Sequence, residues 1–479
     1  MDPIASLAYF KPELILIAAV FVILTLDLAG LSKPWLGYLS IAALIGSVAS
    51  LSGNLFDTHW LFFNLMIYDG FSVLIQILVL FMVGLPILAT IGSTLIHERQ
   101  KGEFYVMMLA LALLLIIMGS TTHLLMIFLA TEAVSLSSYL LVGSQKFNKK
   151  ASEASLKYLL YGAVATAVLV FGMSLLYGLS GTLALTEMPI RLAKLGPQAQ
   201  GAVLTAMVLM LVGFGFKISM APFHMWAPDV YEGAPTPVAG FLTVAPKALG
   251  FLVLFRVLTI AFPVQYHEWS ALLVILSMLT MTIGNVFAVS QNNVKRILAY
   301  SSVAQAGYIL MGLAASSEVG VYAVFIYLIT YLFTNLGAFL VVGIVEQSEG
   351  SNLLEAYQGL SKRNPFLAMT LTIFLLSLAG IPPLAGFIAK WFVFASAIHI
   401  GFISLAVVAA VNSAIAGFYY FKIVKAMYLS PGDKESPIRK NHLAFTAVLI
   451  ALAGTILIGI LPSPVIVFVQ HAFMSFRTL

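Results

Sequence analysis

Apolar stretches of membrane-spanning length recur along nearly the whole 479-residue chain, and nothing else limits its fold as tightly. A membrane helix needs about 20 largely apolar residues, because backbone groups in hydrocarbon must satisfy one another. Fourteen such spans can be placed: 12–31, 36–54, 70–93, 104–119, 123–143, 154–179, 202–221, 235–260, 270–290, 297–315, 320–345, 366–398, 402–428 and 443–462. A β-barrel would show short alternating segments instead. The chain is 61% hydrophobic and 9% charged, with a mean hydropathy of +1.03. No soluble globular domain has that balance. The expected fold is therefore an all-α polytopic membrane protein, a single membrane domain over 1–479.

Span 12 contains Gly380-Ile381-Pro382-Pro383, which should break it, and span 7 runs into the proline-rich segment APFHMWAPDVYEGAPTP. Proline lacks an N–H and clashes with the carbonyl four residues back. The N-terminus lacks the basic region of a signal peptide, so span 1 should act as the insertion signal. Loops after odd-numbered spans carry thirteen Lys and Arg: Lys33, Arg99, Lys101, Lys146, Lys149, Lys150, Lys295, Arg296, Lys362, Arg363, Lys434, Arg439 and Lys440. The other side has five, Lys11, Arg191, Lys194, Arg256 and Arg477. Positive loops stay cytoplasmic, so both termini should face outward. The net charge of +5 mostly reflects those loops and does not point to nucleic acid.

The chain also contains an internal repeat. Residues 130–143 (ATEAVSLSSYLLVG) align with 299–312 (AYSSVAQAGYILMG) at an offset of 169, which also pairs Tyr158-Leu159 with Tyr327-Leu328. Five spans separate the copies, so the second should be inverted, as in many transporters. The expected organisation is spans 1–3 over 1–103, a first five-helix unit over 104–260, a second over 270–430, and span 14 with a tail over 443–479. The copies differ at two positions of interest: Glu132 corresponds to Ser301, and Lys157 to Ile326.

Four ionisable residues sit well inside spans: Glu132, Lys217, Lys247 and Lys390. A charge at mid-membrane costs roughly 2.5–3.5 kcal/mol on insertion scales, so four unpaired charges cost on the order of 10 kcal/mol. Such residues pair, titrate or face water, and they mark ion and proton paths. Lys217 lies five residues before Pro222, where broken backbone must line a cavity or pack in protein. It handles protons there or ties the broken backbone down. Glu132 is the acid best placed to pair with it, for proton transfer or for helix packing alone. Lys247 follows Pro246, and Lys390 follows the Pro382-Pro383 break.

His224, in the turn after span 7, can relay a proton or lie at the interface. His123 reads as a membrane-edge residue with a relay as the alternative. Lys157 can snorkel to the cytoplasmic surface or take part in proton translocation. Asp229 and Glu232 read as solvated loop acids. No phosphate loop, dinucleotide fingerprint or metal-ligand cluster is present, and there are no cysteines for an iron–sulfur cluster. This chain alone should bind no NADH, flavin or ATP and hold no cofactor or metal.

The runs GFKISMAPFHMWAPDVYEGAPTPVAGFL, QNNVKRILAYSSVAQAGY and SLAGIPPLAGFIAKW resemble the antiporter-like membrane subunits of proton-translocating NADH–quinone oxidoreductase, respiratory complex I. The resemblance covers about residues 65–430. It implies fourteen helices, two inverted five-helix repeats, broken helices 7 and 12, and proton-carrying residues at Glu132, Lys217, Lys247 and Lys390. Lys390 and a chain that stops soon after span 14 favour the N-type branch over its M- and L-type relatives. The implied role is a subunit coupling electron transfer to proton transport. NADH or ferredoxin, flavin, iron–sulfur clusters and quinone would be used by partner subunits. Its partners would be neighbouring antiporter-like and small membrane subunits and lipid, in a bacterial inner membrane. Pro246 departs from the family, where a small residue commonly precedes that lysine. A cation/proton antiporter subunit and a structural membrane spacer are the alternatives.

Overall fold

The computed structural model describes residues 2–51, 55–431, 438 and 441–476. Lys434, Arg439, Lys440 and Arg477, used above for orientation, lie outside them. Helices α1 (Lys11–Leu28) and α2 (Lys33–Ala49) come first, followed by a small hairpin of β1 (His59–Leu61) and β2 (Met66–Tyr68). The hairpin is antiparallel, with Trp60 opposite Ile67. Then come α3 (Gly70–Thr90), α4 (Lys101–Gly119), α5 (Leu124–Val142) and α6 (Lys149–Ser180). The next span is two helices, α7 (Gln200–Lys217) and α8 (Trp226–Gly233). After it run α9 (Thr236–Ala261), α10 (Tyr266–Val289), α11 (Val294–Ala315) and α12 (Glu318–Glu349). A second divided span, α13 (Pro365–Ala379) and α14 (Ala385–His399), precedes α15 (Ile403–Tyr428), α16 (His442–Ile460) and α17 (Ser463–Phe476).

Eleven helices among the described residues are long and apolar enough to cross a membrane. Helices also occupy the other three expected spans, each with a reason for falling short. α1 carries Lys11, Glu13 and Asp27, α2 has 17 residues, and span 12 is two pieces of 15 residues each. Glu13 is itself buried and accepts a hydrogen bond from Gln76 of α3 at 3.1 Å.

The core is built around α9, α11 and α12, which are apolar all round and almost wholly buried. α6, α10 and α15 lie outside them and leave most of their apolar surface exposed, as lipid-facing helices do. α6 packs along α7, α10 along α11, and α12 against both α9 and α14.

A backbone pattern occurs twice. Leu124 N–H bonds Leu183 O at 2.8 Å and Leu185 N–H bonds Thr122 O at 3.0 Å, around a bridge of His123 with Ala184. Val294 N–H bonds Asn352 O at 2.8 Å and Leu354 N–H bonds Asn292 O at 3.0 Å, around a bridge of Asn293 with Leu353. The offset is 169–170 residues, that of the sequence repeat. An odd number of crossings separates the two, so they lie on opposite faces of the membrane.

Two expectations are corrected. The segment after α7 is not a solvated loop: it folds into α8, with Pro228 in the first turn, where its missing N–H costs nothing. Arg256, counted among the outer loop charges, is 1% exposed inside α9 and paired with Asp69 at 3.3 Å.

Candidate functional site

Both divided helices end on carbonyls that need donors, as every helix C-terminus does. Lys217 is the last residue of α7, where a cation also meets the negative end of the helix dipole. The chain then turns through Ser219 (φ 57°), and Trp226 of α8 donates its ring N–H to Phe216 O at 3.1 Å. Lys217 is 6% exposed, and its Nζ donates to Ser135 Oγ of α5.

Glu132 lies one turn before Ser135, and its carboxylate accepts from Thr166 of α6 at 2.6 Å. The expected Glu132–Lys217 ion pair is therefore not formed. Two hydroxyls hold the two charges apart, with Ser135 on the helix of one and against the head of the other.

Lys247 is 1% exposed in α9. Pro246 does not break this helix. It removes the donor that Leu242 O would have had, and Tyr231 OH of α8 supplies one at 3.4 Å. The same tyrosine ring lies 5.9 Å from Lys247 Nζ. That Nζ donates to Ser302 O at 2.9 Å and Ser302 Oγ at 3.0 Å on α11.

Lys390 is 6% exposed in α14. α13 stops at Gly380 (φ 90°), and Lys390 Nζ reaches back to Ala379 O at 2.8 Å and to Ser413 Oγ of α15 at 2.7 Å. Its Nζ lies 4.7 Å from the Tyr308 ring centre. Among the described residues neither Lys247 nor Lys390 has a carboxylate partner; serines, carbonyls and ring faces meet both.

A cluster of uncharged polar side chains is built next to Ser302 and Ala379, the residues that hold these two lysines. Gln305 of α11 donates to Leu378 O at 3.1 Å and to Tyr420 OH at 3.2 Å, and accepts from Tyr327 OH. Ser301 Oγ and Tyr420 OH are 2.5 Å apart. Sequence reasoning singled out none of Ser135, Thr166, Tyr231, Ser302, Gln305, Ser413 or Tyr420, and named Ser301 and Tyr327 only as the repeat counterparts of Glu132 and Tyr158. The available signal was Ser301, Ser302 and Gln305 within one turn of a buried helix.

His224 is 5% exposed at the α7–α8 break, and its Nδ1 has no hydrogen-bond partner among the described residues. His123 caps α5 near the opposite face from α8, away from this cluster. Lys157 of α6 does reach the polar rim: it pairs with Glu153 at 2.7 Å and with Asp229 at 2.8 Å. Arg296 joins Asp229 at 2.9 Å to Glu232 at 2.8 Å. The two acids read as solvated are thus tied into a network that closes over α8.

The fold and this site define a polytopic helical membrane protein with buried lysines held at or near interrupted helices by hydroxyls and carbonyls, with further buried polar side chains beside them. A family model described as NADH:quinone oxidoreductase/Mrp antiporter, TM, matches residues 121–416, which contain both breaks and all four charged positions. The chain is 38% identical to NADH-quinone oxidoreductase subunit N of Trichlorobacter lovleyi, over 98% of this chain and 97% of that one. It is 38% identical to NAD(P)H-quinone oxidoreductase subunit 2 of Gloeobacter violaceus, over 95% and 90%. Among solved structures it resembles a chain of respiratory complex I from Thermus thermophilus with bound aureothin (TM-score 0.81, 33% identity, 95% and 98% covered). A chain of the Mrp complex from Dietzia sp. shares the fold (TM-score 0.84, 21% identity, 98% and 97% covered). The chain belongs to the NADH:quinone oxidoreductase/Mrp antiporter family of membrane subunits.

Proposed function

We propose that this chain is the N-type proton-translocating membrane subunit of an NADH– or ferredoxin–quinone oxidoreductase. The observation that carries this reading is the set of three buried lysines at or near helix interruptions, Lys217 at the end of α7, Lys247 on Ser302 and Lys390 on the last carbonyl of α13, with a buried polar cluster beside the last two. Full-length relatives named for such complexes support the partner set: other membrane subunits and peripheral subunits that hold flavin, iron–sulfur clusters and quinone. The redox chemistry belongs to those partners. The membrane is a bacterial inner membrane, with both termini on the outer side.

Within this chain, Glu132 and Lys217 form the switch. The structure holds them apart, Glu132 on Thr166 and Lys217 on Ser135. Rotation of the lysine head off Ser135 toward Glu132 would make an ion pair and strengthen the lysine's hold on its proton. Opening the pair would release that proton toward Lys247. Lys247, held only by neutral groups, passes its charge state on to Lys390, the exit. His224 at the first break and Lys157 at the cytoplasmic rim serve uptake. Moving one proton against 100 mV costs about 2.3 kcal/mol, which partner electron transfer supplies.

The test replaces Lys217 with Ala in the assembled complex and measures proton pumping beside electron transfer. Pumping should fall for each electron delivered. Full coupled pumping would remove Lys217 from the path.

A further inference from the structure

In the polar cluster beside Lys247 and Lys390, the contacts of one buried side chain fix its own orientation. Gln305 is 2% exposed and lies about one turn from Ser301 and Ser302 on α11. One of its amide contacts is to Leu378 O, at 3.1 Å, in the last turn of α13. A carbonyl only accepts, so the NH2 end of the amide must face the helix break, and the oxygen faces the other way. The rest follows. Tyr420 OH, 3.2 Å from the same nitrogen, must accept from it. Tyr327 OH must donate to the amide oxygen. The Tyr420 proton therefore points away from Gln305; Ser301 Oγ lies 2.5 Å from Tyr420 OH, and either of the two can be the donor there. Ser301 adjoins Ser302, the partner of Lys247. Ala379, the residue after Leu378, supplies the carbonyl held by Lys390 at 2.8 Å.

We propose that Gln305 is a positioning residue that orients the Tyr420 and Tyr327 hydroxyls in the polar cluster beside Lys247 and Lys390. It holds Tyr420 as an acceptor and so keeps the Tyr420 proton turned away from the break between α13 and α14. An amide donates from nitrogen and accepts at oxygen and does not exchange those roles, so Gln305 orients its neighbours and carries no proton itself. Without it, Tyr420 can rotate its hydroxyl toward the break, and Leu378 O loses its donor. The inference rests on the proton-path reading given above.

The experiment measures protons translocated per electron in the assembled complex for Gln305→Leu, Tyr420→Phe and Tyr327→Phe, beside Lys247→Ala and Lys390→Ala. Gln305→Leu and Tyr420→Phe should each lower the ratio. Tyr327→Phe should lower it less than Tyr420→Phe, because Leu378 O still orients the amide. All three positions are buried, so a packing role alone would make the two tyrosine variants alike; equal losses overturn the inference. A wild-type ratio in Gln305→Leu with impaired lysine variants overturns it while the path reading stands. Wild-type ratios in both lysine variants overturn the path and the inference together. If Gln305→Leu fails to assemble, the contrast between the two tyrosine variants decides the question alone.

Discussion

Replacing Arg256 with Met should destabilise the chain more than any other single loss of charge. The guanidinium is 1% exposed and Asp69 is fully buried. Its Nη2 lies 3.3 Å from Asp69, its Nη1 donates to Gly119 O at 2.9 Å and Thr121 O at 3.3 Å, and it lies 4.5 Å from the Phe71 ring centre. One side chain thus ties the start of α3 and the end of α4 to α9. Methionine keeps much of the apolar stem and removes the charge. Breaking a buried pair from one side costs about 3–5 kcal/mol, because the remaining charge stays buried. The two carbonyls that lose a donor add roughly 1 kcal/mol each, so the expected loss is about 5–7 kcal/mol. Asp69 also caps α3 through Ser72 N–H at 2.7 Å, a duty Asn performs as well. Asp69→Asn combined with Arg256→Met should therefore recover about 2–4 kcal/mol relative to additivity. Equilibrium unfolding in mixed micelles of mild and denaturing detergent reads both quantities. A loss below about 1 kcal/mol in Arg256→Met, or strict additivity in the double variant, would refute the clamp. Lys247 lies nine residues before Arg256 on the same helix, about 14 Å along its axis, so a loosened clamp should also disturb the lysine.

Alanine at Gly386 would place its Cβ 1.7 Å from Ser377 O, so the pieces of the divided span must part; unfolding should show a loss of about 3 kcal/mol or more. Gly178 in α6 has open space around the same atom, and Gly178→Ala should gain about 0.5–1 kcal/mol in the same assay. Arg296→Ala should cost about 1–2 kcal/mol at low salt and less at high salt, because Asp229 and Glu232 are each about a quarter to a third exposed and screened. Glu132→Gln should leave assembly intact, since an amide oxygen still accepts from Thr166, while lowering pumping; intact pumping with weakened assembly would favour a spacer.

The membrane helices were legible because hydropathy over about 20 residues is a local property. The break before Lys390 was legible for the same reason, since Gly380 and two prolines stop a helix wherever they stand. α8 was not. Its Pro228, Asp229 and Glu232 look like loop chemistry in isolation. They fit a helix because the proline falls in its first turn, and because Lys157 and Arg296, from helices before and after it, meet the acids. A segment stabilised by charges 67 and 72 residues away cannot be read from its own residues.

The same distinction separates the charged positions from what connects them. A lysine in an apolar span is conspicuous because its cost is paid wherever it points, so Lys217, Lys247 and Lys390 stood out singly. A serine, tyrosine or glutamine costs little in sequence terms, and its meaning lies in which neighbour it meets. Lys217 meets Ser135 rather than the expected Glu132, Lys247 meets Ser302, and Gln305 meets a carbonyl freed by a break 73 residues away. The helix breaks make those meetings possible. Each strips a carbonyl of its intrahelical donor, and a buried carbonyl must find another. Lys390 and Gln305 each answer one such demand, and Tyr231 answers the one that Pro246 makes inside the unbroken α9. The prolines and the glycine thus do more than end helices: they create acceptors at membrane depth, and those acceptors draw polar side chains to them.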